Sequence, residues 1–155
     1  MKYELSEILP HKSPMILVDE VVEYDLEKLS LKARIDIGPD SMFYDSVLGG
    51  VPSWIGLEYM AQSIGALSGL HGKEHGEGEP IMGFILGTRK YDNAIDFYKN
   101  GESYFVEIEE LFFNLELGSF RCVIKDSKDE FCAEAELNVF RPQEPLRFIE
   151  ELGKR

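Results

Sequence analysis

Glu58 is the only charged residue between Val47 and Leu70. Removing water from a carboxyl raises its pKa toward the range where it works as a general acid, so Glu58 is the first candidate for proton transfer. The alternative is a helix face at which Glu58 reaches water or pairs with an arginine. His11 stands between Pro10 and Pro14, prolines that stiffen an extended loop around an imidazole titrating near neutrality. It is either a second proton-transfer group or a loop histidine bonded to backbone. Gln62 follows Glu58 by one helical turn and either bonds its carboxyl or serves as a plain core amide. His71 and His75 flank a Gly- and Glu-rich run and read as solvated. Cys122 and Cys132 have no metal-ligand spacing to any histidine, so they are expected to be reduced thiols in a protein with no metal and no cofactor.

The elements that must position these groups follow from periodicity. Residues 4–9 suggest a helical turn. Met15–Tyr24 is a β-branched apolar run, and Lys28–Ile37 alternates Leu29, Leu31, Ala33, Ile35 and Ile37 with polar residues; both read as strands. Gly38, Pro39 and Asp40 end that hairpin, and Ser41–Gly50 reads as an irregular loop. A helix from about Pro52 to about His71, apolar or small on every side, predicts a helix buried on every side. Gly72–Pro80 reads as a loop. Four strands follow over Ile81–Tyr91, Tyr104–Leu117, Phe120–Asp126 and Phe131–Phe140. The apolar phase shifts from Tyr104, Val106 and Ile108 to Leu111, Phe113, Leu115 and Leu117, which predicts a bulge near Glu109 or Glu110. Leu146–Leu152 suits a short terminal helix. Two strands, one buried helix and four antiparallel-type strands describe an α+β protein: one hotdog domain over residues 1–155, its curved sheet wrapped around a central helix.

Composition narrows the function. The 155 residues are 44% hydrophobic, as for one globular core, and the net charge of -13 leaves no broad basic face for nucleic acid. Val47–Leu70 holds too many glycine, serine and other small or polar residues for a membrane span. The first ten residues lack the pattern of a secretory signal, and a cytoplasmic location is the expectation.

Two segments resemble a known family. Leu9-Pro10-His11-Lys12-Ser13-Pro14-Met15-Ile16-Leu17-Val18-Asp19 is similar to the L-P-H-R-x-P-F-L-L-V-D motif of the 3-hydroxyacyl-ACP dehydratases of fatty acid synthesis. Pro52-Ser53-Trp54-Ile55-Gly56-Leu57-Glu58-Tyr59-Met60-Ala61-Gln62 resembles their P-G-V-L-I-L-E-A-M-A-Q. Together with Gly83-Phe84-Ile85-Leu86-Gly87-Thr88-Arg89, the second run looks closest to the dehydratase-like hotdog proteins encoded in aryl polyene clusters. One departure stands out: where the fatty acid enzymes carry the catalytic histidine of a G-H-F-P-G loop, this chain has Tyr44, followed by Asp45.

The resemblance implies dehydration of a 3-hydroxyacyl thioester to a trans-2-enoyl thioester, on a substrate carried by acyl carrier protein (ACP). Three roles need filling: removal of a C2 proton, protonation of the hydroxyl leaving C3, and stabilisation of charge on the thioester oxygen. The resemblance places the catalytic carboxyl at Glu58 and leaves His11 to take the vacated base role. Tyr44 and Asp45 either orient a proton or merely fill the loop. First-turn N–H groups of Ser53 or Trp54 suit the oxyanion, and Gln62 would support Glu58. Trp54, Gly83 and Phe84 would border the acyl chain, and Arg89 with Lys90 would offer a cationic patch for the acidic carrier. Family members join sheet edges in pairs, so a homodimer is expected, with a heterodimer with another dehydratase as the variant. Two rivals stay open: a hotdog acyl thioesterase, and a catalytically silent acyl-binding subunit of a heterodimeric dehydratase.

Overall fold

Alternating apolar residues set the sheet of the structure, a computed structural model that describes residues 3–9, 15–74, 84–114 and 117–140. Its strands are β1 (Glu20–Asp25), β2 (Ser30–Asp36), β3 (Gly50–Pro52), β4 (Phe84–Asn93), β5 (Phe97–Lys99), β6 (Ser103–Asn114), β7 (Leu117–Asp126) and β8 (Phe131–Phe140), and its helices are α1 (Leu5–Ile8) and α2 (Gly56–Glu74). Six strands form one antiparallel sheet in the order β1-β2-β6-β7-β8-β4, and β3 pairs with β5 in a second, two-stranded sheet. Leu31, Ala33 and Ile35 of β2 and Tyr104, Val106 and Ile108 of β6 are buried at every second position. Lys32 and Arg34 between them face outward, as the strand period of two requires. The hydrophobic face closes over α2, which gives the hotdog arrangement. Among the described residues no helix is long and apolar enough to cross a membrane.

The helix starts with a 3₁₀ turn at Ser53–Ile55 and runs on to Glu74. At its start the Tyr91 hydroxyl donates to the Ser53 carbonyl at 2.5 Å. The hydroxyls of Tyr91 and Tyr98 both lie where a side chain at Gly56 would have to go, so glycine is the residue that lets the helix approach them. Tyr98 stacks edge-on against Tyr59 and Tyr104, with ring centroids 5.4 and 4.9 Å apart. Burial drives the pKa of Tyr98 and Tyr59 upward and pushes Tyr104 up to about 12, so these phenols stay neutral inside the core.

Several sequence expectations need correction. The run Met15–Tyr24 becomes a strand only from Glu20; residues 16–19 belong to no strand, although the Asp19 N–H donates to the Arg34 carbonyl. The strands β3 and β5 were not foreseen, because three residues are too few to show a period. The bulge in β6 falls between Glu110 and Phe112, one residue past the expected place. It does not turn Leu111 inward: Leu111 and Phe112 are both exposed. Most consequentially, α2 is not covered on every side. Trp54 and Glu58 are exposed and Ala61, Gly65 and Ser68 only half-buried, a stripe at alternating spacings of four and three that follows one helical face. The expected loop at Pro10–Pro14 and terminal helix at Leu146–Leu152 lie outside the described residues.

Candidate functional site

The open stripe carries the candidate chemistry. Glu58 sits in the first turn of α2, where the positive end of the helix favours a carboxylate. It is exposed, so this chain alone does not supply the dry surroundings that the sequence reading expected. Trp54, one turn earlier on the same face, is 63% exposed and its ring lies 6.3 Å from that of Phe43 at a tilt of 60°. Phe43 has a φ of 69°, a left-handed conformation unusual for an aromatic residue. It was not among the sequence candidates, and its place in a loop without period offered no signal for it. Phe43, Val47, Leu48 and Trp54 are all exposed hydrophobics of the loop before the helix and of the helix start.

The neighbouring candidates are held in ways the sequence did not show. Tyr44 is half-buried and packs against the core. The Asp45 carboxylate accepts the N–H groups of Val47 at 2.9 Å and Leu48 at 3.2 Å, while the Asp45 N–H donates to the Gly50 carbonyl at 2.8 Å. Asp45 therefore shapes the turn, as aspartates that bond the backbone two residues on commonly do. The Ser53 N–H donates to the Asp96 carbonyl at 3.2 Å. With Ser53 so engaged, Trp54 offers the remaining first-turn N–H of the two proposed for an oxyanion. Gln62 does not bond Glu58: its buried amide accepts from the Leu17 N–H at 2.7 Å and donates to the Met15 carbonyl at 2.5 Å. Arg89 and Lys90 are exposed on β4, where Lys90 adopts a φ of 60° inside an irregularity of the β4–β8 pairing. Phe84 opens β4. His11, His75 and Gly83 lie outside the described residues; His71 lies in the last turn of α2, half-buried rather than solvated.

Asp19, the last residue of the first motif, was not singled out from sequence. Its carboxylate accepts the Asp36 N–H at 2.7 Å. With Tyr59, Leu17 and Ser41 it lines an open cavity of about 450 Å³. Burial raises its pKa, opposed by the Asp36 N–H and by Arg34 and reinforced by the Asp36 carboxylate. A carboxyl whose pKa is higher folded than unfolded contributes stability that is complete below the unfolded pKa and lost as pH rises through the folded one. Asp19→Asn keeps an acceptor for the Asp36 N–H, so its melting temperature should exceed that of the wild type at pH 7. That advantage should fade on acidification toward the ordinary carboxyl pKa; an advantage independent of pH would contradict the account.

Cys122 and Cys132 are buried free thiols that burial pushes up to about 12 and about 11. Neither offers a nucleophile.

Comparison with known proteins bears on the family and the fold. Over 70 residues the chain is 41% identical to the 3-hydroxyacyl-(acyl-carrier-protein) dehydratase FabZ of Chlamydia caviae, a match covering 43% of this chain and 46% of that protein. The FabZ of Erwinia tasmaniensis matches at 37% over 68 residues, 42% of this chain and 44% of its own length. The chain thus spans about half the length of the curated relatives it matches. Among solved structures, the dehydratase heterocomplex ApeI:P from Xenorhabdus doucetiae superposes with a TM-score of 0.85 at 25% identity, over 96% of this chain and 98% of that one. A hypothetical thioesterase protein with coenzyme A from Streptococcus pneumoniae shares the fold at a TM-score of 0.60 and 11% identity, over 79% of this chain and 84% of that one. The ApeP-like family, ApeP dehydratase, matches residues 3–150, nearly the whole chain, and the protein belongs to that family of hotdog dehydratases.

Proposed function

We propose that the protein takes part in dehydrating a 3-hydroxyacyl thioester carried by ACP, with its site completed by a second hotdog subunit. The observation that carries this reading is the open stripe of α2: Glu58, at the position of the family carboxyl, stands exposed on a helix buried on its other faces. A surface laid over Trp54, Glu58, Ala61, Gly65 and Ser68 would exclude water, and small residues at three of these positions permit close approach. Glu58 then protonates the hydroxyl leaving C3, His11 takes the C2 proton, and the Trp54 N–H faces the thioester oxygen. Trp54, Gly83 and Phe84 border the acyl chain, and the exposed aromatic ring of Trp54 suits a flat, conjugated one.

The nature of the second subunit has its own support. Tyr44 replaces the family's loop histidine, and Asp45 beside it is engaged in the turn, so this loop presents no ready base. The likeness to a dehydratase heterocomplex favours a different hotdog dehydratase as partner, and a silent role for this chain remains the second reading. The test measures loss of water from a 3-hydroxyacyl-ACP by mass, for the chain alone, for the completed pair, and for the pair carrying Glu58→Gln on this chain. Dehydration abolished by Glu58→Gln supports the active reading. An undiminished rate in that pair makes this chain the silent subunit, and release of free acid makes it a thioesterase.

Carrier docking follows the same reading. A chain of net charge -13 repels an acidic carrier unless local cations offset it, and Arg89 and Lys90 are exposed together on β4. Replacing both with glutamate is expected to raise KM for an ACP-borne substrate more than for a small thioester mimic. Equal effects on the two substrates would remove the docking role.

A further inference from the structure

Residues 15–17 belong to no strand, yet their backbone has a partner. The N–H of Leu17 and the carbonyl of Met15 flank Ile16, and both turn to the side-chain amide of Gln62, at 2.7 and 2.5 Å. One planar group supplies an acceptor and a donor, as a neighbouring strand would. Gln62 is 1% exposed, so water does not replace its amide there, and a buried peptide group left unpaired is costly. Glutamate lacks the donor, leucine lacks both functions, and asparagine is one methylene shorter. Glu58 and Gln62 stand one turn apart on α2, so whatever fixes Met15–Leu17 to Gln62 also fixes that segment relative to Glu58. Ile16 and Leu17 in turn line the 450 Å³ cavity together with Tyr59, the residue after Glu58.

We propose that Gln62 is a positioning residue for dehydration, setting Met15–Leu17 as a wall beside the helix turn that carries Glu58. The inference rests on the dehydratase reading above. It predicts an unusual rescue. In Gln62→Glu, a carboxylate still accepts from Leu17 but turns a second negative oxygen toward the Met15 carbonyl. Protonation converts that oxygen into a donor and restores both bonds. Burial and the facing carbonyl raise the pKa of the introduced carboxyl, which brings this protonation within reach of mildly acid buffers.

The experiment measures kcat and KM for dehydration by the complete assembly carrying wild type, Gln62→Glu or Gln62→Leu, at pH 8 and at about pH 5.5. Each variant is divided by wild type at the same pH, which cancels the titration of Glu58, one turn away, and of Asp19, two residues past Leu17. Circular dichroism confirms folding. Gln62→Glu is expected to lose on the order of 10-fold in kcat at pH 8 and to recover most of it in acid, with KM little changed, as for a misplaced reacting geometry. Gln62→Leu should stay low at both pH values. A folded Gln62→Leu with wild-type kcat, or a Gln62→Glu deficit indifferent to pH, overturns the inference. Should Gln62→Leu fail to fold, Gln62→Glu decides alone, because one preparation is read in two buffers. Absence of turnover by the wild-type assembly overturns the dehydratase reading and this inference with it, a result distinct from an active wild type with indifferent variants.

Discussion

Glu58→Gln is expected to lower kcat for dehydration by roughly 10²-fold or more while KM moves little, because it keeps the size of the side chain and removes its proton. His11→Asn should act similarly if the imidazole takes the C2 proton. The two losses should not add in the double variant, since groups working as one unit fail together. The bell-shaped dependence of the rate on pH should lose one limb in each single variant. Tyr44→Phe should be milder, its hydroxyl serving at most to orient a partner. If His11→Asn keeps near-wild-type turnover, the base lies elsewhere. Asp45 is then a poor substitute, because its carboxylate already accepts the N–H groups of Val47 and Leu48, and the search moves to the second subunit.

Gly69→Ala is expected to destabilise the fold strongly, against the usual trend. In a helix interior alanine is favoured over glycine by about 1 kcal/mol. At Gly69 an added methyl would run into the backbone carbonyl of Ile8, and Ile8 is itself fully buried where α1 packs on α2. Backbone cannot swing aside as a side chain does, so α1 must shift. Overpacking of this kind costs ~1–3 kcal/mol or more, which outweighs the propensity gain. Denaturant unfolding should show a lower midpoint for Gly69→Ala, and a higher one would mean that α1 does not rest on this glycine.

The open stripe and the Gln62 clamp bear on one question, how a carboxylate exposed in one chain becomes a proton donor in a dry site. The chain places Glu58 on the exposed stripe of α2, and in the proposed reading Met15–Leu17, held by Gln62, supports its flank. In the proposed reading a second subunit covers that face, and exposed apolar residues of the preceding loop, such as Val47 at 94% exposed, are available to it.

What this sequence determined by itself was whatever short-range pattern can carry. Strands β2, β7 and β8 were readable from side chains alternating with a period of two, the central helix from its small and apolar run, and Glu58 from being the lone charge within it. The bulge in β6 was visible within one residue, because a phase shift in the pattern is the trace of an extra residue. Tertiary structure alone decided the partners. Gln62 and Leu17 are 45 residues apart, and Ser53 meets Asp96 across the β3–β5 pairing. A hydrogen-bonding group in a sequence shows its capacity but not its partner, so the Gln62 amide could be read toward Glu58 and the Ser53 N–H toward an oxyanion. Coverage of α2 was hidden for the same reason: a stripe of alanine, glycine and serine is equally compatible with a strand of the same chain above it and with an open face. Only the path of the open sheet, β1-β2-β6-β7-β8-β4, which leaves that stripe exposed, distinguishes the two.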